Sequence, residues 1–106
     1  MTLESSIKAE IKTFIERNGW YWCAVKGGAY SKPGDPDIVA CINGRFVGIE
    51  GKTSTGTLAV QQAKRGRQIK SAGGIYLKTR SLDELRSQLR ELGLLPDSPE
   101  GGSKTP

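Results

Sequence analysis

Residues 34–53 read GDPDIVACINGRFVGIEGKT, and the reading of this stretch decides the fold. Two apolar runs, Asp37 to Ile42 and Arg45 to Glu50, flank Asn43-Gly44. That dipeptide is the strongest short signal for a β-hairpin, because both central residues of the tight turn must accept positive φ. A two-residue turn there sets Ile42 opposite Arg45, Cys41 opposite Phe46, Val39 opposite Gly48 and Asp37 opposite Glu50. Opposed side chains have Cβ atoms roughly 5 Å apart. Side chains of like parity share a face, so Asp37, Glu50 and Lys52 point the same way.

Working outward, Ile7, Ile11, Phe14 and Ile15 form one stripe of a helix from about Leu3 to Arg17, with Thr2 as its cap and Asn18-Gly19 as its stop. Trp20 to Lys26 reads as a strand, and Gly27 to Pro36, rich in glycine and proline, as a mobile loop. Residues 57–72 suit a second helix with a small-residue side (Ala59, Ala63, Gly66) and a basic side (Lys64, Arg65, Arg67, Lys70). Ile75 to Lys78 is a short strand. Ser81 and Glu84 make a capping box for a third helix that turns Leu82, Leu85, Leu89 and Leu92 inward. The order predicts an α/β domain over residues 1–95, a mixed four-stranded sheet flanked by helices in the order α-β-β-β-α-β-α. Residues 96–106, made of Pro, Gly, Ser, Asp and Lys with little to bury, read as a disordered tail.

A chain of 106 residues with 36% apolar content supports one core. It has no run long enough for a membrane span and no secretion signal, so a cytoplasmic location is expected. Cys23 and Cys41 lie in apolar runs, where cysteine behaves as a small buried hydrophobe. The net charge of +5 suits a polyanionic partner. With no histidine in the chain, imidazole-based triads and zinc sites are excluded. Chemistry must come from carboxylates, lysine or backbone groups.

Two facing carboxylates repel unless a positive charge lies between them, and a hard divalent cation with oxygen ligands answers that need. Asp37, Glu50 and the carbonyl of Gly51 are the candidate ligands. Lys52 is placed to orient a water and to neutralise charge developing on a phosphate. The implied chemistry is phosphodiester hydrolysis. The same acids also suit a solvated sheet edge, an alternative that the register leaves open. A phosphate-binding loop ending at Gly51-Lys52-Thr53 does not fit, since Phe46 stands where that loop needs glycine. No nucleotide cofactor is implied.

Pro36-Asp37, twelve intervening residues and Glu50-Gly51-Lys52 resemble the signature of the PD-(D/E)xK nucleases. The finer resemblance is to the standalone VRR-NUC branch. It rests on Glu4 ahead of Ile7 and Ile11, on the Gly34-x-Pro36-Asp37-Ile38 strand entrance, and on Gln62 eleven residues before Gly73-Gly74. The resemblance covers about residues 3 to 90. It implies a restriction-endonuclease-like fold, Mg²⁺ or Mn²⁺ bound by Asp37, Glu50, the Gly51 carbonyl and Glu4, and catalytic assistance from Lys52 and Gln62. Glu4 falls within the apolar stripe of its helix, an odd place for a carboxylate; complementing the helix dipole is the other account of it. Two positions depart from the family: Gly51 stands where an apolar residue is more usual, and Gly66 interrupts the second helix, at about 1 kcal/mol relative to alanine.

Lys26, Tyr30 and Lys32 in the glycine-rich loop, with Lys64, Arg65, Arg67 and Lys70 on the second helix, line a path for a DNA backbone. Backbone contacts position a duplex without reading its bases, and the sequence offers no recognition helix. Structure-selective rather than sequence-specific cutting is therefore expected. Standalone members of this branch resemble phage and bacterial junction-resolving enzymes, which implies branched DNA such as four-way junctions as the substrate. Symmetric junction resolution further implies a homodimer. A flap or nicking nuclease on the same fold, or a catalytically silent DNA-binding module, is the alternative.

Overall fold

The computed structural model describes residues 4–25, 34–52 and 59–95. Its centre is the hairpin. Asn43 and Gly44 adopt φ of 50° and 81°, reversing the chain between β2 (Ile38–Ile42) and β3 (Arg45–Gly51). The pairing is the one the turn demands, from Ile42 against Arg45 through Val39 against Gly48 to Ile38 against Ile49. Around it the order is α1 (Glu4–Arg17), β1 (Tyr21–Ala24), the hairpin, α2 (Val60–Ser71), β4 (Ile75–Thr79) and α3 (Leu82–Glu91). The result is the expected α/β domain with a mixed four-stranded sheet and three helices.

The sheet runs β1-β2-β3-β4, with the first two pairings antiparallel and β3–β4 parallel. A parallel neighbour needs a crossover, and α2 supplies it. One face of the sheet carries Ile38, Ala40, Ile42, Val47 and Ile49, which pack with Ile7, Ile11, Phe14 and Ile15 of α1 and with Leu85 and Leu89 of α3 into the apolar core. Period-2 alternation sends the neighbouring residues of the same strands to the opposite face, where α2 lies. There Gly66 lets the helix approach the sheet: a Cβ at that position would sit 2.7 Å from the Tyr76 ring. The glycine inside the helix is thus explained by close packing.

Three expectations need correction. Leu92 does not turn inward; it is 45% exposed. The chain leaves α3 through Gly93 at φ 78°, and the Leu94 amide donates to the Leu89 carbonyl at 2.8 Å. This terminal loop swings Leu94, two residues later, into the core. Cys23 and Cys41 are both exposed free thiols rather than buried hydrophobes. The helix packed on their face lies over β4 and the adjoining part of β3, where Gly66 meets Tyr76 and Ile69 reaches Gly48, so their end of the sheet stays open. The capping box is also displaced by one residue. Ser81 Oγ accepts from the Glu84 amide at 3.0 Å, but the Glu84 carboxylate accepts from Arg80 N–H, at 2.6 Å, instead of from Ser81.

Thr2, most of the glycine-rich loop, the first residues of the expected second helix and the tail lie outside the described residues. Among the described residues, no helix is long and apolar enough to cross a membrane.

Candidate functional site

The hairpin register carries Asp37, one residue before β2, beside Glu50 near the end of β3. Both are buried, at 5% and 1% exposure. Their surroundings show how the fold holds two charges out of water. Asp37 Oδ2 accepts the Gly51 N–H at 3.2 Å, and Lys8 Nζ of α1 lies 3.6 Å from Oδ1. Glu50 Oε2 accepts the side-chain amide of Gln62 at 2.8 Å, and Lys52 Nζ stands 3.7 Å from the same oxygen. Among the described residues each buried carboxylate thus meets at least one uncharged donor and one ammonium group, the pairing that makes buried charge tolerable.

Local backbone structure fixes each partner. Gln62 is the third residue of α2, and its Oε1 accepts the Ala59 N–H at 2.9 Å. One end of its amide thus caps the helix and the other is left to donate to Glu50, which sets its orientation. Lys52 lies one residue past β3, and its amide donates to the Thr79 carbonyl at 2.9 Å, extending the β3–β4 ladder. Gly51 pairs with Thr79 in that ladder, and a Cβ there would find only ordinary contact, 3.4 Å from Lys8 Cγ. Its glycine is harmless, as a role for the carbonyl alone requires.

Tyr76 of β4 completes the arrangement. It is 8% exposed, its ring is seated on Gly66, and its hydroxyl is buried with no hydrogen-bond partner among the described residues. Burial first, then the negative charge of Glu50 and of Asp37, pushes its ionisation well above the ordinary phenol range. The hydroxyl remains a neutral donor at any working pH.

Of the residues expected from sequence, Asp37, Glu50, Gly51, Lys52 and Gln62 come together. Glu4 opens α1 one turn before Lys8, and its side chain is outside the described part. Lys26, Tyr30 and Lys32 also lie outside the described residues. Lys64, Arg67 and Lys70 are exposed on α2. Arg65 is half-buried, with Nε 3.3 Å from Asp35 Oδ1 at the strand entrance and a guanidinium hydrogen bond to Gln68, so it braces α2 against the sheet. Sequence reasoning missed Lys8 and Tyr76. The spacing from Glu4 to Lys8, four residues on one helical flank, was an available signal. Tyr76 offered none, since β4 is apolar on both sides of it.

The donor set suits a hard cation. Among the described residues no group of three or more His, Cys, Asp or Glu side chains gathers, which leaves two carboxylates and a backbone carbonyl. Magnesium sites in phosphoryl chemistry commonly take one or two carboxylates and complete their shell with water and substrate oxygens. The Tyr76 hydroxyl, without a partner among the described residues and on the same face of the sheet as Glu50, fits a site where an oxygen ligand belongs. Comparison of the chain with protein-family models, with curated proteins and with solved structures finds no match.

Proposed function

We propose that this chain is a metal-dependent, structure-selective DNA endonuclease, a standalone VRR-NUC-like member of the PD-(D/E)xK nucleases acting on branched DNA such as four-way junctions. One observation carries the reading: Asp37 and Glu50 are buried side by side, with Lys52 and Gln62 both directed at Glu50 Oε2. Burying two like charges at one end of a sheet opposes folding, and a solvated sheet edge would leave them in water. The bland alternative from sequence therefore loses ground.

In this reading Asp37, Glu50 and the Gly51 carbonyl would hold Mg²⁺ or Mn²⁺, with Glu4 as a further ligand. The ion supplies Lewis acidity toward a phosphoryl oxygen and acidifies bound water. Gln62 holds the Glu50 carboxylate in one orientation, so that its second oxygen can face a ligand. The ammonium of Lys52 orients the attacking water and offsets charge developing on the phosphate. Lys8 balances Asp37. Lys64, Arg67 and Lys70 give the exposed side of α2 a positive charge suited to a phosphate backbone. Two symmetric cuts across a junction call for two sites, hence a two-fold dimer; light scattering that finds only monomer, free and with a junction, removes that part.

The test is incubation with labelled four-way junction, flap and linear duplex under Mg²⁺ or Mn²⁺. Preferred cutting of the junction, abolished in Lys52→Ala with binding retained, supports the proposal; preferred cutting of the flap points to the flap or nicking alternative. Binding without cleavage under either metal overturns it in favour of a silent DNA-binding module. That second reading draws on a specific feature, the ammonium partner each carboxylate already has inside the protein.

A further inference from the structure

We infer that the Tyr76 hydroxyl is a hydrogen-bond donor to an oxygen atom held against Asp37 and Glu50, belonging to a water or to a phosphate, which makes Tyr76 a positioning residue of this site. The inference rests on the proposed reading of the acid pair as a metal and phosphate site, and extends it to a residue on a different strand.

Three observations converge. First, the hydroxyl is enclosed: Tyr76 is 8% exposed, and the hydroxyl oxygen has no partner among the described residues. A buried hydroxyl without an acceptor is destabilising, and a phenylalanine would fill the same ring position without that burden. Second, the ring is not free to turn away, because it lies against the backbone of α2, where Gly66 leaves room for it and nothing larger. Third, Tyr76 pairs with Gly48 on the face of the sheet that carries Glu50 two residues farther along β3, which brings its hydroxyl, kept neutral first by burial and then by the charges of Glu50 and Asp37, into the field of the acids. A neutral O–H in such a field turns its proton toward the acids. Neither carboxylate, nor any other described residue, accepts a hydrogen bond from it, so an intervening oxygen is the acceptor that satisfies the group.

Elsewhere in the protein, the Thr79 hydroxyl shows the ordinary outcome. Thr79 is fully buried, three positions along the same strand, and its hydroxyl donates to the Ser81 carbonyl at 2.8 Å. The difference between these two hydroxyls is that one has a protein acceptor and the other faces the site.

The experiment compares wild type with Tyr76→Phe in three readouts. Thermal unfolding without metal should show the variant at least as stable as wild type; a markedly lower melting temperature means the hydroxyl has a protein partner and overturns the inference. Titration with Mn²⁺ alone, then with Mn²⁺ and inorganic phosphate, is followed by the near-ultraviolet tyrosine difference signal. A response to Mn²⁺ alone that disappears in Tyr76→Phe identifies a water oxygen, and one that needs phosphate identifies a phosphate oxygen. No response in either, or the same response in the variant, overturns the inference. Single-turnover cleavage of the junction should fall on the order of tenfold to a hundredfold in the variant with junction affinity unchanged. If wild type cuts and no tyrosine response appears, Tyr76 is excluded and the nuclease reading stands. If the response appears but no DNA is cut, the nuclease reading falls and the assignment of Tyr76 stands.

Discussion

The two faces of the one sheet are built from alternate residues of the same strands, yet they do opposite work. Toward α1 and α3, β3 presents Val47 and Ile49, both fully buried against isoleucine and leucine. Toward α2 the same strand presents Phe46, Gly48 and Glu50, the first two opposite Cys41 and Val39. The first face excludes water with branched apolar chains and is where stability resides. The second has glycines where Pro36, Ile69 and Tyr76 approach the backbone, an exposed Phe46 at one end, and buried charge at the other. A period of two is enough to separate an apolar surface from one that carries buried charge on a single strand.

The sharpest way to break this contrast is to substitute one residue on each face. Leu85→Ala, at a fully buried position of the apolar face, should lower unfolding free energy by about 2–5 kcal/mol, seen as a lower urea midpoint. Glu50→Gln on the other face should abolish cleavage under Mg²⁺ while stability stays within about 1 kcal/mol of wild type, because the isosteric amide can still accept from Gln62. If Glu50→Gln instead unfolds the protein as severely as Leu85→Ala, the division of labour is wrong.

A smaller effect distinguishes Gly66 of α2 from Gly51, where a side chain would face α1. Gly66→Ala gains about 1 kcal/mol of helix propensity. It also forces a Cβ to 2.7 Å from the Tyr76 ring, and overpacking of this kind costs about 1–3 kcal/mol. Calorimetry should find Gly66→Ala destabilised and Gly51→Ala close to neutral, since the contact at Gly51 is an ordinary 3.4 Å.

Gln62→Ala removes two hydrogen bonds, one to Glu50 and one to the Ala59 amide, and should cost about 1–2 kcal/mol. Its distinguishing sign is a cleavage rate that falls further than this loss of stability explains, measured at a temperature where the variant is fully folded. The smallest effect belongs to Leu92→Ser, at an exposed position, expected within about 0.5 kcal/mol of wild type in a thermal melt. A large loss there would reinstate the inward Leu92 of the sequence reading.

Local signals were legible where they act over a few residues. Asn43-Gly44 specified its turn and, through it, the register that brings Asp37 beside Glu50, because a two-residue hairpin leaves no freedom of pairing. Helical periodicity found the stripes of α1 and most of α3. It failed at Leu92, where a spacing of three or four residues continues on paper but the chain has already left the helix through Gly93 at φ 78°. It could not expose Cys23 and Cys41, since an apolar run does not say how far across the sheet a covering helix extends.

By itself, then, the amino-acid order determined the element sequence, the hairpin and the presence of two acids and a lysine on one face, since each depends on neighbours close along the chain. Tertiary structure alone decided which cations answer those acids, with Lys8 arriving from α1 and Lys52 from the end of β3. It also decided that Gln62 is turned by its cap toward Glu50, and that the Tyr76 hydroxyl is enclosed beside them. These are meetings of residues far apart in the chain, and their geometry follows from how closely the helices pack on the sheet.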